Sequence, residues 1–154
     1  MGGAPFGPFK HQVLAAASAT PHSSPKNRYL DSSAFLKLLA EPETDAMRAW
    51  AASHAPVGSS QLLVTEVLRA ASRLGIERSS WLAALDGVVL LAPGPATFYA
   101  AGELAPPGLR SLDALHLAAA LELGPDLTGL VSYDQRLIGA AVATGAEVVT
   151  PTSE

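Results

Sequence analysis

The sequence predicts a single α/β domain built on a parallel sheet, and three observations lead there. From Arg28 onward short apolar runs alternate with stretches of helical periodicity, the pattern of strands joined by crossover helices. At 154 residues with 49% hydrophobic content, the chain is the size of one ordinary globular core. Acidic residues stand where apolar runs give way to helical stripes, which is where an open α/β sheet presents its ligands.

Taken in order, residues 1–27 differ from the rest. Gly, Pro, Ser, Ala and His dominate them and no acid precedes Asp31, so a poorly ordered leader is expected. Its apolar stretch Val13-Leu14-Ala15-Ala16-Ala17 is shorter than the roughly 7 to 15 residues of a secretory signal, which argues against export. The domain is expected over 28–151, with 152–154 as a tail. Strands are expected at Arg28–Asp31, Pro56–Ser59, Val88–Leu91, Leu127–Ser132 and Glu147–Val149. Phe35, Leu38 and Leu39 form a helical stripe after the first strand. Pro42 suits the first turn of a helix over Glu43–Ser53, Gly75 ends one over Gln61–Leu74, and Gly124-Pro125 ends one over Ser111–Leu123. Asp134–Thr144 is a further helix closed by Gly145, and Glu77–Leu85 and Pro95–Leu104 complete the set.

Composition narrows the function classes. The absence of cysteine excludes disulfides, thiolate metal sites and cysteine nucleophiles, and fits a cytoplasmic location. No apolar run reaches the roughly 18 residues of a membrane span. A net charge of −4 gives no overall basic field for nucleic acid, so any such binding must be local. Arg69, Arg73, Arg110 and Arg136 are the candidates for phosphate contacts, because planar guanidinium groups suit phosphate oxygens.

Four acids carry the functional reading: Asp31, Glu66, Asp113 and Asp134. Each alone has an ordinary explanation. Asp31 and Asp134 suit N-caps, Asp113 suits a helix dipole behind a Ser111 cap, and Glu66 suits a solvated helix position. Helical geometry puts Glu66 roughly 40° outside the apolar stripe Leu63, Val67, Ala70, Ala71 and Leu74, a boundary position with Arg69 and Arg73 on its polar side. Asp113 opens a helix that is apolar almost all round. If the turns after the first and fourth strands are adjacent, the acids crowd together, and sequences keep such repulsion mainly at functional sites. Mg²⁺, or Mn²⁺ as a substitute, would relieve it. The Ser32, Ser33 and Ser132 hydroxyls suit orienting Asp31 and Asp134 or binding a metal-held water, and suit capping equally well. His116, one turn from Asp113, falls on the apolar face and reads as a hydrogen-bonded core histidine, at most auxiliary to the site. His54 reads as a loop residue, and Trp50 and Trp81 as packing residues.

The segments Tyr29-Leu30-Asp31-Ser32-Ser33-Ala34-Phe35-Leu36-Lys37-Leu38, Thr65-Glu66-Val67-Leu68-Arg69-Ala70, Arg110-Ser111-Leu112-Asp113-Ala114-Leu115-His116-Leu117-Ala118 and Ser132-Tyr133-Asp134-Gln135-Arg136-Leu137 resemble the PIN-domain ribonucleases, most of all the VapC-type toxins of toxin–antitoxin pairs. The resemblance covers essentially 28–151. It implies a five-stranded parallel sheet of order 3-2-1-4-5 and an Mg²⁺-dependent endoribonuclease. Asp31 and Asp113 would be the main metal ligands, with Glu66 and Asp134 completing the pocket directly or through water. It also implies an RNA substrate, a cognate antitoxin covering the groove, and a homodimer.

Phosphoryl-transfer folds of the receiver or haloacid-dehalogenase type share the architecture. They need a late lysine, whereas Lys10, Lys26 and Lys37 all lie at or before the first helix, and Ser33 stands where the dehalogenase pattern has an acid. The non-enzymatic alternative is a catalytically silent PIN-like module that binds RNA or protein. The complete set of four acids argues against it.

Overall fold

The structure, a computed structural model, describes residues 27–39 and 44–153. The expected leader, apart from Asn27, lies outside the described residues, as do Pro42 and Glu43 at the expected start of the second helix. The elements are β1 (Asn27–Leu30), α1 (Ser32–Lys37), α2 (Thr44–His54), β2 (Val57–Ser60), α3 (Leu62–Leu74), α4 (Arg78–Asp86), β3 (Val88–Leu91), α5 (Pro95–Glu103), α6 (Ser111–Leu121), a 3₁₀ turn (Gly124–Asp126), β4 (Leu127–Val131), α7 (Gln135–Ala143) and β5 (Val148–Val149). The five strands are parallel in the order β3-β2-β1-β4-β5. The chain therefore reverses direction of travel between β1 and β4, and the ends of those two central strands lie side by side.

Side-chain alternation along the strands divides the core. Tyr29 and Leu130, paired in register, face Leu117 of α6 and Leu137, Ala140 and Ala141 of α7. Leu30 and Val131, the next pair, face Ala34 of α1 and Met47 of α2. Phe35, Leu63, Val67, Ala71 and Trp81 join α1, α3 and α4 on that second side. Ala101 of α5 packs on Ala114 and Ala118, so α6 is enclosed by the sheet, α5 and α7. This is why α6 is apolar nearly all round: a helix with neighbours on several sides has little solvated face to fill with charge. Truncating a fully buried side chain such as Leu117 to Ala is expected to cost about 2–5 kcal/mol.

Most boundaries differ from the sequence expectation by one or two residues, and the reasons are local. Asn27 pairs with Leu127 and so belongs to β1 rather than to the leader. Asp31 and Ser132 still bond the neighbouring strands through their amides, to Val131 O and Val149 O, but their side chains cap and brace the turns instead of extending the strands. Helix α6 stops at Leu121, before the 3₁₀ turn set by Gly124-Pro125. Gly75 ends α3 in the left-handed conformation (φ 66°), which a side chain would strain. His54 is the last residue of α2 rather than a loop residue, with Nδ1 2.7 Å from Trp50 O and its ring stacked on Trp50. Trp81 is buried and Trp50 partly so, both in packing roles. After β5, Thr150 Oγ1 donates to Ser132 O (2.9 Å) and the Tyr133 hydroxyl donates to Pro151 O.

Candidate active site

The site forms where β1 and β4 end. Asp31 caps α1 and is only 3% exposed. Its Oδ1 accepts from the Ser33 hydroxyl (2.7 Å) and the Ala34 amide (2.8 Å), and its Oδ2 from the Ser132 hydroxyl (2.6 Å). Each serine works in both directions. Ser33 Oγ also accepts from the Tyr133 amide (2.9 Å), and Ser132 Oγ from the Asp134 amide (3.1 Å). Two hydroxyls thus fasten the β4–α7 turn to the β1–α1 turn, with the Asp31 carboxylate between them. Burial nonetheless pushes the Asp31 carboxyl above the ordinary aspartate range, against the opposing effect of the three donors.

Glu66 enters from α3. Its Oε1 accepts from the Ser32 hydroxyl (3.1 Å) and its Oε2 lies 2.5 Å from His116 Nε2. This corrects the solvated reading of Glu66: its boundary position turns it toward α6, where His116 waits at 1% exposure. His116 is the hydrogen-bonded core histidine expected, with Nδ1 2.7 Å from the Tyr29 hydroxyl.

Asp113 and Asp134 meet through Arg110. The guanidinium donates from Nε to Asp113 Oδ2 (3.2 Å) and from Nη2 to Asp134 Oδ2 (2.9 Å). Asp134 caps α7 by accepting from the Arg136 and Leu137 amides at Oδ1. The expected Ser111 cap does not form. The N-cap of α6 is Arg110, without a capping side-chain bond, and Ser111 is already helical. Burial and then the charge of Asp134 raise the Asp113 carboxyl, while Arg110 works the other way. Arg69, Arg73 and Arg136 are exposed on α3 and α7.

Hydrogen-bond donors therefore link the acids: Ser132 stands between Asp31 and the Asp134 amide, Arg110 between Asp134 and Asp113, and Ser32, next to Asp31, donates to Glu66. Among the described residues no three histidine, cysteine, aspartate or glutamate side chains are placed to form a ready cage for a metal. Mg²⁺ does not require one, since it is generally held by one or two carboxylates, retained waters and substrate phosphates. The chemistry of the donor set suits such an ion, because carboxylates and serine hydroxyls are hard oxygen donors, and a cation beside Asp31 or Asp113 would favour the charged form that burial disfavours.

Comparison with known proteins decides the family. The PIN domain model matches residues 28–143, a span containing all four acids. The chain belongs to the PIN-domain family.

Among PIN-domain relatives, it is 43% identical over 126 residues to Ribonuclease VapC46 of Mycobacterium tuberculosis, covering 80% of this chain and 97% of that protein. It is 37% identical over 132 residues to Ribonuclease VapC47 from the same species, covering 80% and 96%. The crystal structure of M. tuberculosis VapC20, described as a sarcin-ricin loop cleaving toxin, superposes with a TM-score of 0.64 over 80% of this chain and 99% of that one, at 18% identity. That last likeness shows the PIN fold. Three contacts of this candidate site were not read from sequence: Tyr29 to His116, His116 to Glu66, and the Arg110 bridge. Tyr29 carried a signal, because a residue two before Asp31 on a strand faces the same side.

Proposed function

We propose that the protein is a divalent-metal-dependent endoribonuclease that hydrolyses RNA phosphodiester bonds. We further infer that it is the toxin of a type II toxin–antitoxin pair, acts in the cytoplasm as a homodimer and is restrained by a cognate antitoxin. The observation that carries the reading is the buried Asp31 carboxylate at the end of β1, braced from β4 and disfavoured in its charged form. The likeness to two proteins named as ribonucleases, each matched over nearly its whole length, supports the substrate class.

In this reading Asp31 and Asp113 would hold the ion, and Glu66 and Asp134 would complete the acidic pocket directly or through water. Bound there, Mg²⁺ or Mn²⁺ would activate a water and neutralise charge on the phosphate. Ser33 and Ser132 fix both oxygens of Asp31, so little reorganisation is needed on binding. Arg110 stands at the mouth, 60% exposed, where its guanidinium can pass from the carboxylates to an incoming phosphate. Arg69 and Arg73 on α3 and Arg136 on α7 are exposed and offer further guanidinium groups for phosphate. Because water attacks rather than the 2′-hydroxyl, products carry 5′-phosphate and 3′-hydroxyl ends.

The test is incubation with total cellular RNA, with and without EDTA, followed by sequencing of the new 5′ ends. Discrete 5′-phosphorylated ends that vanish with EDTA are expected. Cleavage indifferent to EDTA would overturn the metal dependence, and no cleavage with Mg²⁺ and Mn²⁺ both supplied would overturn the proposal and favour the silent PIN-like module.

A further inference from the structure

Tyr29 and His116 are both buried, and the metal-holding roles above use neither. They form a continuous path across the core from β1 through α6 to Glu66 on α3. The Tyr29 hydroxyl is 2.7 Å from His116 Nδ1, with the two rings edge-on, and His116 Nε2 is 2.5 Å from Glu66 Oε2. A carboxylate oxygen accepts, so the contact at Glu66 suits the tautomer with the proton on Nε2, which leaves Nδ1 to accept from the Tyr29 hydroxyl. In that tautomer the donors run one way: Tyr29 O–H to His116 Nδ1, then His116 Nε2–H to Glu66.

A pair needed only to fill space would not look like this. Phe and Leu would occupy the same volume without the cost of burying a phenol and an imidazole, and core polar groups that persist must be satisfied at every end. Glu66 also needs support. It has more rotatable bonds than the aspartates, sits at the edge of the apolar stripe of α3, and receives a hydroxyl bond on one oxygen only, from Ser32.

We propose that Tyr29 and His116 are a positioning pair: Tyr29 selects the imidazole tautomer, and the imidazole holds the second oxygen of Glu66 so that the carboxylate faces the metal-binding pocket. The proposal rests on the nuclease reading above and assigns its third acid a supporting apparatus.

The test uses the full chain and four variants, Glu66→Gln, His116→Leu, His116→Gln and Tyr29→Phe. Mn²⁺ affinity is measured by titration calorimetry, kcat and KM by RNA cleavage, and the His116 tautomer by ¹⁵N NMR. His116→Leu should weaken Mn²⁺ binding roughly 10- to 100-fold and lower kcat with KM little changed, as loss of an orienting partner does. His116→Gln, which keeps an N–H near the Nε2 position, should recover most of that loss. In wild type the proton should sit on Nε2, and Tyr29→Phe should move part of it to Nδ1 and weaken Mn²⁺ binding. If Glu66→Gln weakens Mn²⁺ binding while His116→Leu and Tyr29→Phe bind and cleave as wild type, the pair is packing alone and the proposal fails with the nuclease reading intact. If Glu66→Gln changes neither binding nor cleavage, Glu66 leaves the proposed site and the positioning role falls with it. Should His116→Leu not fold, Tyr29→Phe decides, since it removes a single oxygen atom.

Discussion

Ser132 donates to Asp31 at 2.6 Å across 101 positions of sequence, joining the end of β4 to the end of β1 inside the core. The bond is buried, and Ser132 Oγ simultaneously accepts the Asp134 amide. Ser132→Ala should therefore lower stability by about 1–3 kcal/mol, the cost of stranding a buried polar partner. It should also reduce cleavage roughly 10- to 100-fold through a less well-oriented Asp31. Urea denaturation and single-turnover cleavage measure the two effects. A variant as stable and as active as wild type would remove Ser132 from the site.

Asp31→Asn separates the metal-holding role from the capping role. Asn keeps an acceptor for the Ala34 amide while removing a charge that burial disfavours. Cleavage should be lost, and the metal-free protein should unfold within about 1 kcal/mol of wild type or above it. A loss of several kcal/mol with cleavage retained would make Asp31 a helix cap and nothing more.

Metal linkage gives an independent check through Asp113. An ion at 100 times its Kd stabilises a folded protein by about 2.7 kcal/mol. Mg²⁺ or Mn²⁺ should raise the wild-type Tm accordingly and shift Asp113→Asn much less. Equal shifts in both proteins would mean that the ion binds elsewhere.

The pH dependence of the metal-free protein has a definite sign. Folding raises the carboxyl pKa of both Asp31 and Asp113 above the ordinary value of 3.8. Their contribution to stability is fully present below that value and is lost as pH rises through the higher folded pKa values. Lowering the pH from about 7 toward about 5 should thus raise the Tm of wild type more than that of Asp31→Asn. Saturating Mg²⁺, which favours the charged carboxylates, should remove the difference. Parallel Tm profiles for the two proteins without metal would contradict the raised Asp31 value.

The parallel sheet and the positions of Asp31, Asp113 and Asp134 at the starts of helices were legible in the chain because both are local patterns. Asp31 and Asp134 stand at the boundary between a period of two and a period of 3.6, and any cap or ligand at such a turn leaves the same trace. The strand order was less accessible, since alternation alone does not say which strand lies beside β1; the resemblance of four spaced motifs supplied it. Tertiary pairing inside the site was not legible. A helical wheel of α6 assigns His116 to the apolar face and stops there, whereas its partners lie 50 positions away on α3 and 87 away on β1. Arg110 carried a phosphate-contact expectation, and nothing local indicated that it spans Asp113 and Asp134. Chemistry that depends on two distant side chains meeting is invisible to any one-dimensional period.

The tether of Thr150 and Pro151 to Ser132 and Tyr133 makes the segment after β5 part of the scaffolding for the acids. Strain applied there, by cutting the chain after β5 or by fusing a bulky partner close behind Pro151, bears on Ser132, which grips Asp31, and on its neighbour Tyr133. Fusions for purification or imaging are better separated from Pro151 by a long, slack spacer.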